Sequence, residues 1–182
     1  MNTKIIIFLA LEKLLKSKPF EKITVIEIAQ AAHISRATFY RHFEDKFDLA
    51  NWYYRQKAEE VFQDTSQDSP WYIFYGLSLF MGQEDATFMQ VMLNERGQNS
   101  FFDFVSDIFY DYWLSRYQKN IHRPSNTKER FALAIWSRGG ASVWQYRLNT
   151  QKRLEAKEMA DLFEFSMPDF LKASEKTSSD QS

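Results

Sequence analysis

The segment from Ser35 to Phe43 concentrates side chains that can bind a polyanion. It reads Ser-Arg-Ala-Thr-Phe-Tyr-Arg-His-Phe, so guanidinium groups, hydroxyls and an imidazole fall within one short stretch. Arginine can donate two parallel hydrogen bonds to the edge of a guanine, and hydroxyl and cationic groups bind phosphate oxygens. This set of residue types indicates contacts to the bases and backbone of a nucleic-acid duplex.

The spacing within this segment predicts a short helix with one buried face and one exposed face. Ser35 is a favoured N-cap residue, and we expect a helix from Arg36 to about His42. Phe39 and Phe43 are one helical turn apart, so they share a face that can pack on a core. A second face carries polar or small side chains: Arg36, Ala37, Tyr40 and Arg41.

The residues before this segment predict a second helix that crosses it steeply. Thr24 and Glu27 have the spacing of a capping box, in which each side chain bonds the other residue's backbone amide. The inward face that follows is apolar: Val25, Ile28, Ala29 and Ala32. His33-Ile34-Ser35 then leaves only a short turn before the next helix. A helix, a short turn and a second helix form the geometry that places side chains in the DNA major groove.

The composition of the 182 residues places these two helices in an all-helical protein. There are 5 Gly and 4 Pro, and apolar residues recur at intervals of three and four rather than in strict alternation. The 0 cysteines exclude disulfides and thiolate metal sites and fit a reducing cytoplasm. The net charge is −1, but residues 1–46 carry more Lys and Arg than Asp and Glu. The N-terminal apolar run is too short and too soon interrupted for an export signal or a membrane span.

Three parts of the chain are expected. Residues 1–46 form a helix-turn-helix DNA-binding domain, whose first helix runs from Thr3 to Ser17. Residues 47–172 form a second helical domain, joined to the first domain by a fourth helix from about Asp45 to Phe62. About five more helices follow, with breaks near Gly82 and in the ranges 95–99, 122–126 and 149–153. The polar tail 173–182 is expected to be disordered.

Residues 23–46 resemble the DNA-binding domain of TetR-family transcriptional regulators. The resemblance rests on the capping box, on Phe39-Tyr40-Arg41-His42-Phe43 and on Lys46 at the family's spacing. It implies base, phosphate or positioning roles for Thr24, Ser35, Arg36, Ala37, Thr38, Tyr40, Arg41, His42 and Lys46. Thr24 and Lys46 are the positions at which the family contacts phosphate. His33 replaces the usual glycine of the turn, so a left-handed backbone is expected there.

The family resemblance also implies a ligand-sensing module in the C-terminal domain, where most of the aromatic residues lie. Aromatic and Met side chains commonly form the walls of small-molecule pockets. The candidate pocket residues are Phe74, Phe88, Met89, Met92, Phe109 and Trp113.

The last two helices of the expected fold carry more apolar surface than one buried face requires. The resemblance implies that these helices form a four-helix contact between two copies of the chain. The candidate interface residues are Phe131, Ile135, Gly139, Gly140, Val143, Met159, Leu162 and Phe163. The Gly139-Gly140 pair either allows close helix approach or kinks the helix.

The favoured function is a cytoplasmic homodimeric regulator that binds a pseudo-palindromic operator in double-stranded DNA. Repression is favoured over activation. A small-molecule effector would act through a pendulum-like shift of the fourth helix. The chain also weakly resembles a subgroup that includes regulators of dihydroxyacetone kinase operons, which favours an activator or a regulator controlled by a protein partner. A third alternative is a helical interaction protein with a vestigial motif. No catalytic residues, metal site, cofactor or membrane contact are predicted.

Overall fold

A computed structural model describes residues 2–64, 69–95, 100–150 and 154–179. Over these residues the chain is helical and forms no strand, which confirms the all-helical class. The helices are α1 Thr3–Leu15, α2 Val25–Ala31, α3 Arg36–Tyr40, α4 Lys46–Gln63, α5 Pro70–Leu79, α6 Ala86–Asn94, α7 Phe101–Ile121, α8 Thr127–Asn149, α9 Ala156–Ser166 and α10 Asp169–Ser179. None of the helices in these ranges is long and apolar enough to cross a membrane.

Local capping interactions start the helices of the N-terminal region where the sequence predicts them. The capping box between Thr24 and Glu27 is complete, the Ser35 hydroxyl accepts the amide of Thr38, and Asp45 caps α4. His33 has a φ of 55°, the left-handed conformation expected at the turn. These interactions are local, so the sequence alone is enough to predict them.

Helix α4 connects the two parts of the core. Tyr53 stacks on Phe8 of α1 at a centroid distance of 3.4 Å, and its hydroxyl donates to Asp85 at 2.8 Å. The next residue, Tyr54, is buried against Phe80 and Phe101 of the C-terminal region. Tyr53 therefore contacts both α1 and the C-terminal region, and Tyr54 adds a second contact to the C-terminal core.

The C-terminal region has one more helix than the sequence predicts. Within the described ranges six α-helices follow residue 69, because the expected last helix is divided into α9 and α10 at Met167 and Pro168. Proline cannot continue the hydrogen-bonded ladder of the preceding helix. A short π-helical turn, Phe80–Glu84, lies at the break predicted near Gly82. Of the other predicted breaks, residues 96–99 and 151–153 lie outside the described residues.

The expectation that the tail 173–182 is disordered is wrong for its described part, residues 173–179, which belong to α10. Leu171 and Ser174 of this helix are buried. Glu175 accepts hydrogen bonds from Arg116 of α7 at 2.5 and 2.8 Å. The sequence prediction weighed only the polar composition, whereas one apolar anchor and a largely buried ion pair hold α10 on α7. Residues 180–182 lie outside the described residues.

Candidate nucleic-acid interface

Two phenylalanines anchor α3 to the N-terminal core, as its spacing predicts. Phe39 is 0% exposed and Phe43 is 3% exposed. The ring of Phe43 lies 5.5 Å from that of Trp52 on α4. Because α3 is only a little more than one turn long, this anchoring rather than intrinsic helix stability must fix its position.

The outward side of α3 is an exposed polar strip. The exposed residues are Ser35, Arg36, Ala37, Tyr40 and Arg41, with Thr38 and His42 half-buried beside them. The Arg36 guanidinium lies 6.0 Å from the centroid of the Tyr40 ring. Arg41 donates to the Thr38 hydroxyl at 3.3 Å. The strip therefore presents two cations and a phenol to solvent, a set suited to base edges and phosphates.

The hydroxyls at the start of α3 also take part in its capping. The Ser35 hydroxyl accepts the Thr38 amide at 3.0 Å and lies 2.9 Å from the Thr38 hydroxyl. Replacement of a capping serine or threonine by alanine typically weakens a helix start by about 1 kcal/mol. A DNA-binding defect in a Ser35 variant would therefore mix loss of a contact with loss of the cap.

Thr24 and Glu27 at the start of α2 form a compact charged network. Glu27 accepts the amide and the hydroxyl of Thr24, both at 2.9 Å, and the ammonium of Lys18 at 2.5 Å. The hydrogen bond from Lys18, followed by those from Thr24, lowers the pKa of Glu27 to about 2. The Thr24 hydroxyl is thus engaged within the protein at the position from which the family resemblance implies a phosphate contact.

Lys46, the other predicted phosphate-contacting residue, lies at the start of α4. Its ammonium donates to the backbone oxygens of Phe20 at 2.6 Å, Ile23 at 2.9 Å and Glu21 at 3.1 Å. It also lies 4.5 Å from the centroid of the buried Phe20 ring. Burial lowers the pKa of Lys46, while nearby carboxylates, Glu95 foremost, oppose that shift.

In the C-terminal region, a cavity of about 20 Å³ lies between α4, α5, α7, α8 and α9. The described residues that line it are Tyr54, Phe74, Leu77, Ser78, Met81, Val105, Phe109, Ser137, Gly140, Ala141, Trp144 and Phe163. No carboxylate, lysine or arginine is among these residues. A void of this size has room for about one water molecule.

Only part of the predicted pocket coincides with this cavity. Phe74 and Phe109 line it, whereas the other candidates are buried in packed parts of the core: Phe88, Met89, Met92 and Trp113. Phe88, for example, packs edge-on against Phe8 and Tyr53. Two polar residues that the sequence prediction missed, Ser78 and Ser137, do line the cavity. Isolated serines within apolar helices give no sequence signal of this kind.

The hydroxyls of Ser78 and Ser137 are buried and accept or donate no hydrogen bond within the described part of the chain. An unbonded buried hydroxyl is destabilising. We therefore predict that Ser137→Ala raises the free energy of unfolding by about 1 kcal/mol, as measured by chemical denaturation. Ser106→Ala is the matched control, because the Ser106 hydroxyl is equally buried but donates to the Phe102 oxygen at 2.8 Å.

For the control we expect no comparable gain, since alanine there removes a satisfied hydrogen bond. A loss of stability in Ser137→Ala would contradict the prediction.

The outer faces of α8 and α9 carry large apolar side chains in contact with solvent. Their exposed fractions are Phe131 68%, Ile135 59%, Val143 44%, Tyr146 66%, Leu162 46% and Phe165 83%. The four from α8 follow one another at helical spacing, so they form a single stripe. We call this surface the α8/α9 apolar face. An exposed patch of this kind typically marks a protein interface.

The structure separates the predicted interface residues into two groups. The α8/α9 apolar face includes Phe131, Ile135, Val143 and Leu162, and Gly139 lies beside them, where an added Cβ would meet no atom within 4 Å. Of the other predicted residues, Gly140 and Met159 are buried within the chain and Phe163 is half-buried. A Cβ on Gly140 would lie 3.2 Å from the Phe163 ring, so Gly140 leaves room for that ring against α8. Helix α8 runs through both glycines without interruption.

The sequence of the N-terminal region is similar to those of known proteins. Residues 7–51 match the family model described as bacterial regulatory proteins, tetR family. A stretch of 69 residues, 38% of this chain, is 33% identical to the HTH-type dhaKLM operon transcriptional activator DhaS of Lactococcus lactis subsp. lactis (strain IL1403). That stretch spans 37% of the length of the relative.

Solved structures resemble the whole chain in fold. The dihydroxyacetone kinase operon activator DhaS aligns over 94% of both chains, with a TM-score of 0.64 and 19% identity. The TetR family repressor AlkX from Dietzia sp. strain DQ12-45-1b aligns over 93% of this chain and 95% of its own, with a TM-score of 0.50 and 19% identity. The chain thus shares its overall fold with these two proteins.

Proposed function

We propose that this chain, whose N-terminal domain belongs to the TetR family of bacterial regulatory proteins, is a DNA-binding transcriptional regulator. The exposed strip on α3 carries the proposal, because Phe39 and Phe43 hold that helix to the core while Arg36, Tyr40 and Arg41 face solvent. Transcription regulators act on chromosomal DNA, so the proposed location is the cytoplasm. The family resemblance gives no support to an enzymatic role.

The proposed DNA contacts divide by chemistry. Arg36 donates to a guanine edge, Ala37 and Thr38 lie against neighbouring bases, and Tyr40, Arg41 and His42 contact bases or phosphates. Ser35 and Thr24 act at least in part through the helix starts that they cap. Lys46 lies at the start of α4, at a position from which the family resemblance implies a phosphate contact.

A homodimer formed through the α8/α9 apolar face is the proposed active form. Six large apolar side chains exposed on two neighbouring helices are unusual for a monomer, and a two-fold axis makes one such patch self-complementary. Two copies of α3 would then bind successive major grooves, about 34–36 Å apart or a multiple of that distance. The operator is accordingly a pseudo-palindrome.

Two kinds of regulatory input are proposed for the C-terminal region. Small-molecule pockets commonly enclose about 300–1,000 Å³. The interior cavity is about 20 Å³, whereas a surface pocket of about 470 Å³ lies between α4 and α5. The nearly filled interior supports a protein partner, and a small molecule would have to open the core or bind the surface pocket. In either case the input reaches the DNA-binding domain through a shift of α4, which contacts both regions. Repression is the proposed sign. Activation is the alternative, which the similarity to the named activator DhaS supports.

The test is selection of binding sites from random duplex DNA with the purified chain. We expect enrichment of an inverted repeat, and an affinity for it that falls steeply as salt rises, because phosphate contacts release counterions. Chains with a scrambled α3 outer face serve as the control for non-specific retention. Absence of any enriched sequence would contradict the proposal and favour the helical interaction protein with a vestigial motif.

A further inference from the structure

Two of the buried serines differ from the others in having no hydrogen-bond partner. The serines that are buried within the described ranges are Ser78, Ser106, Ser125, Ser137 and Ser174. Ser106 and Ser174 donate to backbone oxygens of their own helices, and Ser125 accepts from the side-chain amide of Gln118. A serine inside a helix can bond a carbonyl of the preceding turn, as Ser106 does. Ser78 and Ser137 also lie inside helices, yet they form no such bond within the described residues.

Both of these serines line the cavity between α4, α5, α7, α8 and α9. Ser78 is 1% exposed on α5 and Ser137 is 2% exposed on α8. Across the described chain, one further buried side-chain atom has no partner, Nε1 of Trp113, and that residue does not line the cavity. Buried polar groups without a partner cost free energy and are few in native proteins. Two of them beside one cavity indicate a site for a molecule that forms hydrogen bonds.

The rest of the cavity wall decides what kind of molecule fits. Aromatic, aliphatic and Met side chains form it together with Gly140, and no Lys, Arg, Asp or Glu is among its described residues. A charged group placed there would lose its hydration and find no ionic partner. The wall therefore suits an uncharged molecule that has an apolar body and an oxygen able to bond a hydroxyl.

The cavity of about 20 Å³ must widen before such a molecule enters. Met81 is the wall residue best able to move, because its side chain is unbranched and it belongs to the π-helical turn Phe80–Glu84. Single π-helical turns occur frequently at functional sites. A ligand that bonds the two serine hydroxyls supplies hydrogen bonds that the closed cavity lacks, and this gain offsets the cost of widening.

We propose that this cavity is the closed form of a binding site for a small uncharged molecule that carries a hydroxyl or carbonyl oxygen on an apolar body. Ser78 and Ser137 bond the oxygen, and aromatic side chains such as Phe74 and Phe163 contact the apolar body. The binding step does not depend on DNA. Its regulatory effect rests on the proposed function, because Tyr54 of α4 forms part of the wall and widening the cavity moves that helix.

The first experiment measures binding by methyl NMR of the full chain labelled at its methionines. Met81 lines the cavity, whereas Met92 is 0% exposed and lies outside it, so Met92 reports any general change in the core. We expect benzyl alcohol and cyclohexanone at millimolar concentration to shift the Met81 signal saturably and to leave Met92 unchanged. Benzylammonium and cyclohexanecarboxylate have similar bodies but carry a charge, and they should shift neither signal.

Two results would overturn the proposal at this stage. Absence of a Met81 shift with both uncharged probes would mean that the cavity admits nothing larger than water. An equal shift with the charged probes would mean that the wall does not select for neutral molecules.

The second experiment combines Ser78→Ala with Ser137→Ala. Each change removes an unbonded buried hydroxyl, so we expect the double variant to fold. Its dissociation constant for benzyl alcohol should rise roughly tenfold, whereas that for toluene, which has no oxygen, should stay unchanged. Ser106→Ala is the matched control, because Ser106 is equally buried but lies outside the cavity. Equal affinity of the wild type and the double variant for benzyl alcohol would overturn the role of the two hydroxyls.

The regulatory effect is measured separately, as operator affinity with and without benzyl alcohol. We expect a saturating concentration to change operator affinity at least roughly fivefold in the wild type and not in the double variant. A saturable Met81 shift with unaltered operator affinity would overturn the link to α4. If the wild-type chain binds no duplex at all, the proposed function fails, and the methyl NMR results still decide whether the site exists.

Discussion

Arg36→Ala is expected to weaken binding to the selected operator by roughly ten- to a hundredfold and to relax base preference at one position in each half-site. Arg36 is exposed on α3, and its guanidinium lies beside the Tyr40 ring rather than in an ion pair with a carboxylate of the described residues. The side chain is therefore available to a base edge, and its removal costs the fold little. Competition binding against every single-base variant of the operator measures both effects.

Arg41→Ala provides the comparison for the loss of one positive charge from the same helix. Arg41 bonds the Thr38 hydroxyl, near the edge of the exposed strip. As a phosphate contact it should lower affinity evenly across sequences and reduce the salt slope by about one. If Arg36→Ala also weakened all sequences evenly, Arg36 would be a phosphate contact and the base readout would have to come from other residues.

Ile135→Asp is expected to convert the proposed homodimer into monomers and, with it, to abolish operator binding at concentrations where the wild type is saturated. Ile135 is 59% exposed in the middle of the α8 stripe, so the substitution leaves the protomer core intact. Two-fold symmetry makes every interface substitution occur twice, and two facing carboxylates repel each other. We expect the dimer dissociation constant to rise roughly a thousandfold, as measured by analytical ultracentrifugation.

Leu9→Asp is the control for this experiment. Leu9 is an exposed aliphatic residue on α1, 45% exposed and outside the α8/α9 apolar face. Its substitution introduces the same charge, and we expect it to leave the oligomeric state unchanged. An Ile135→Asp protein that remained dimeric would place the interface elsewhere, and a monomeric wild type would contradict the homodimer itself.

The N-terminal region was predictable because its signals lie within a few residues of one another. The pairs Thr24 with Glu27 and Ser35 with Thr38 bond across three positions, and α3 buries phenylalanines that are one turn apart. Such interactions depend on spacing alone. The hydrogen bonds of Lys46 could not be predicted in this way, because their acceptors are more than twenty positions away in the sequence.

The C-terminal region was less predictable because aromatic residues occur all round its helices. Phe74 and Phe88 have the same chemistry, yet only Phe74 lines the cavity. Gly139 and Gly140 are adjacent, yet one faces solvent and the other packs on Phe163. A step of one residue turns a helical side chain by about 100°, so distinguishing such neighbours requires knowing which helices pack together.

Tyr53 and Tyr54 are adjacent on α4 and connect the C-terminal interior to α1. Tyr54 forms part of the cavity wall, and Tyr53 holds α1 through the stack with Phe8. Helical backbone hydrogen bonds fix the relative positions of neighbouring residues. A change in the volume of the C-terminal interior therefore also shifts the position of α1. Substitutions accumulating deep in that interior over evolutionary time would therefore retune operator affinity, even though every residue that faces DNA keeps its identity.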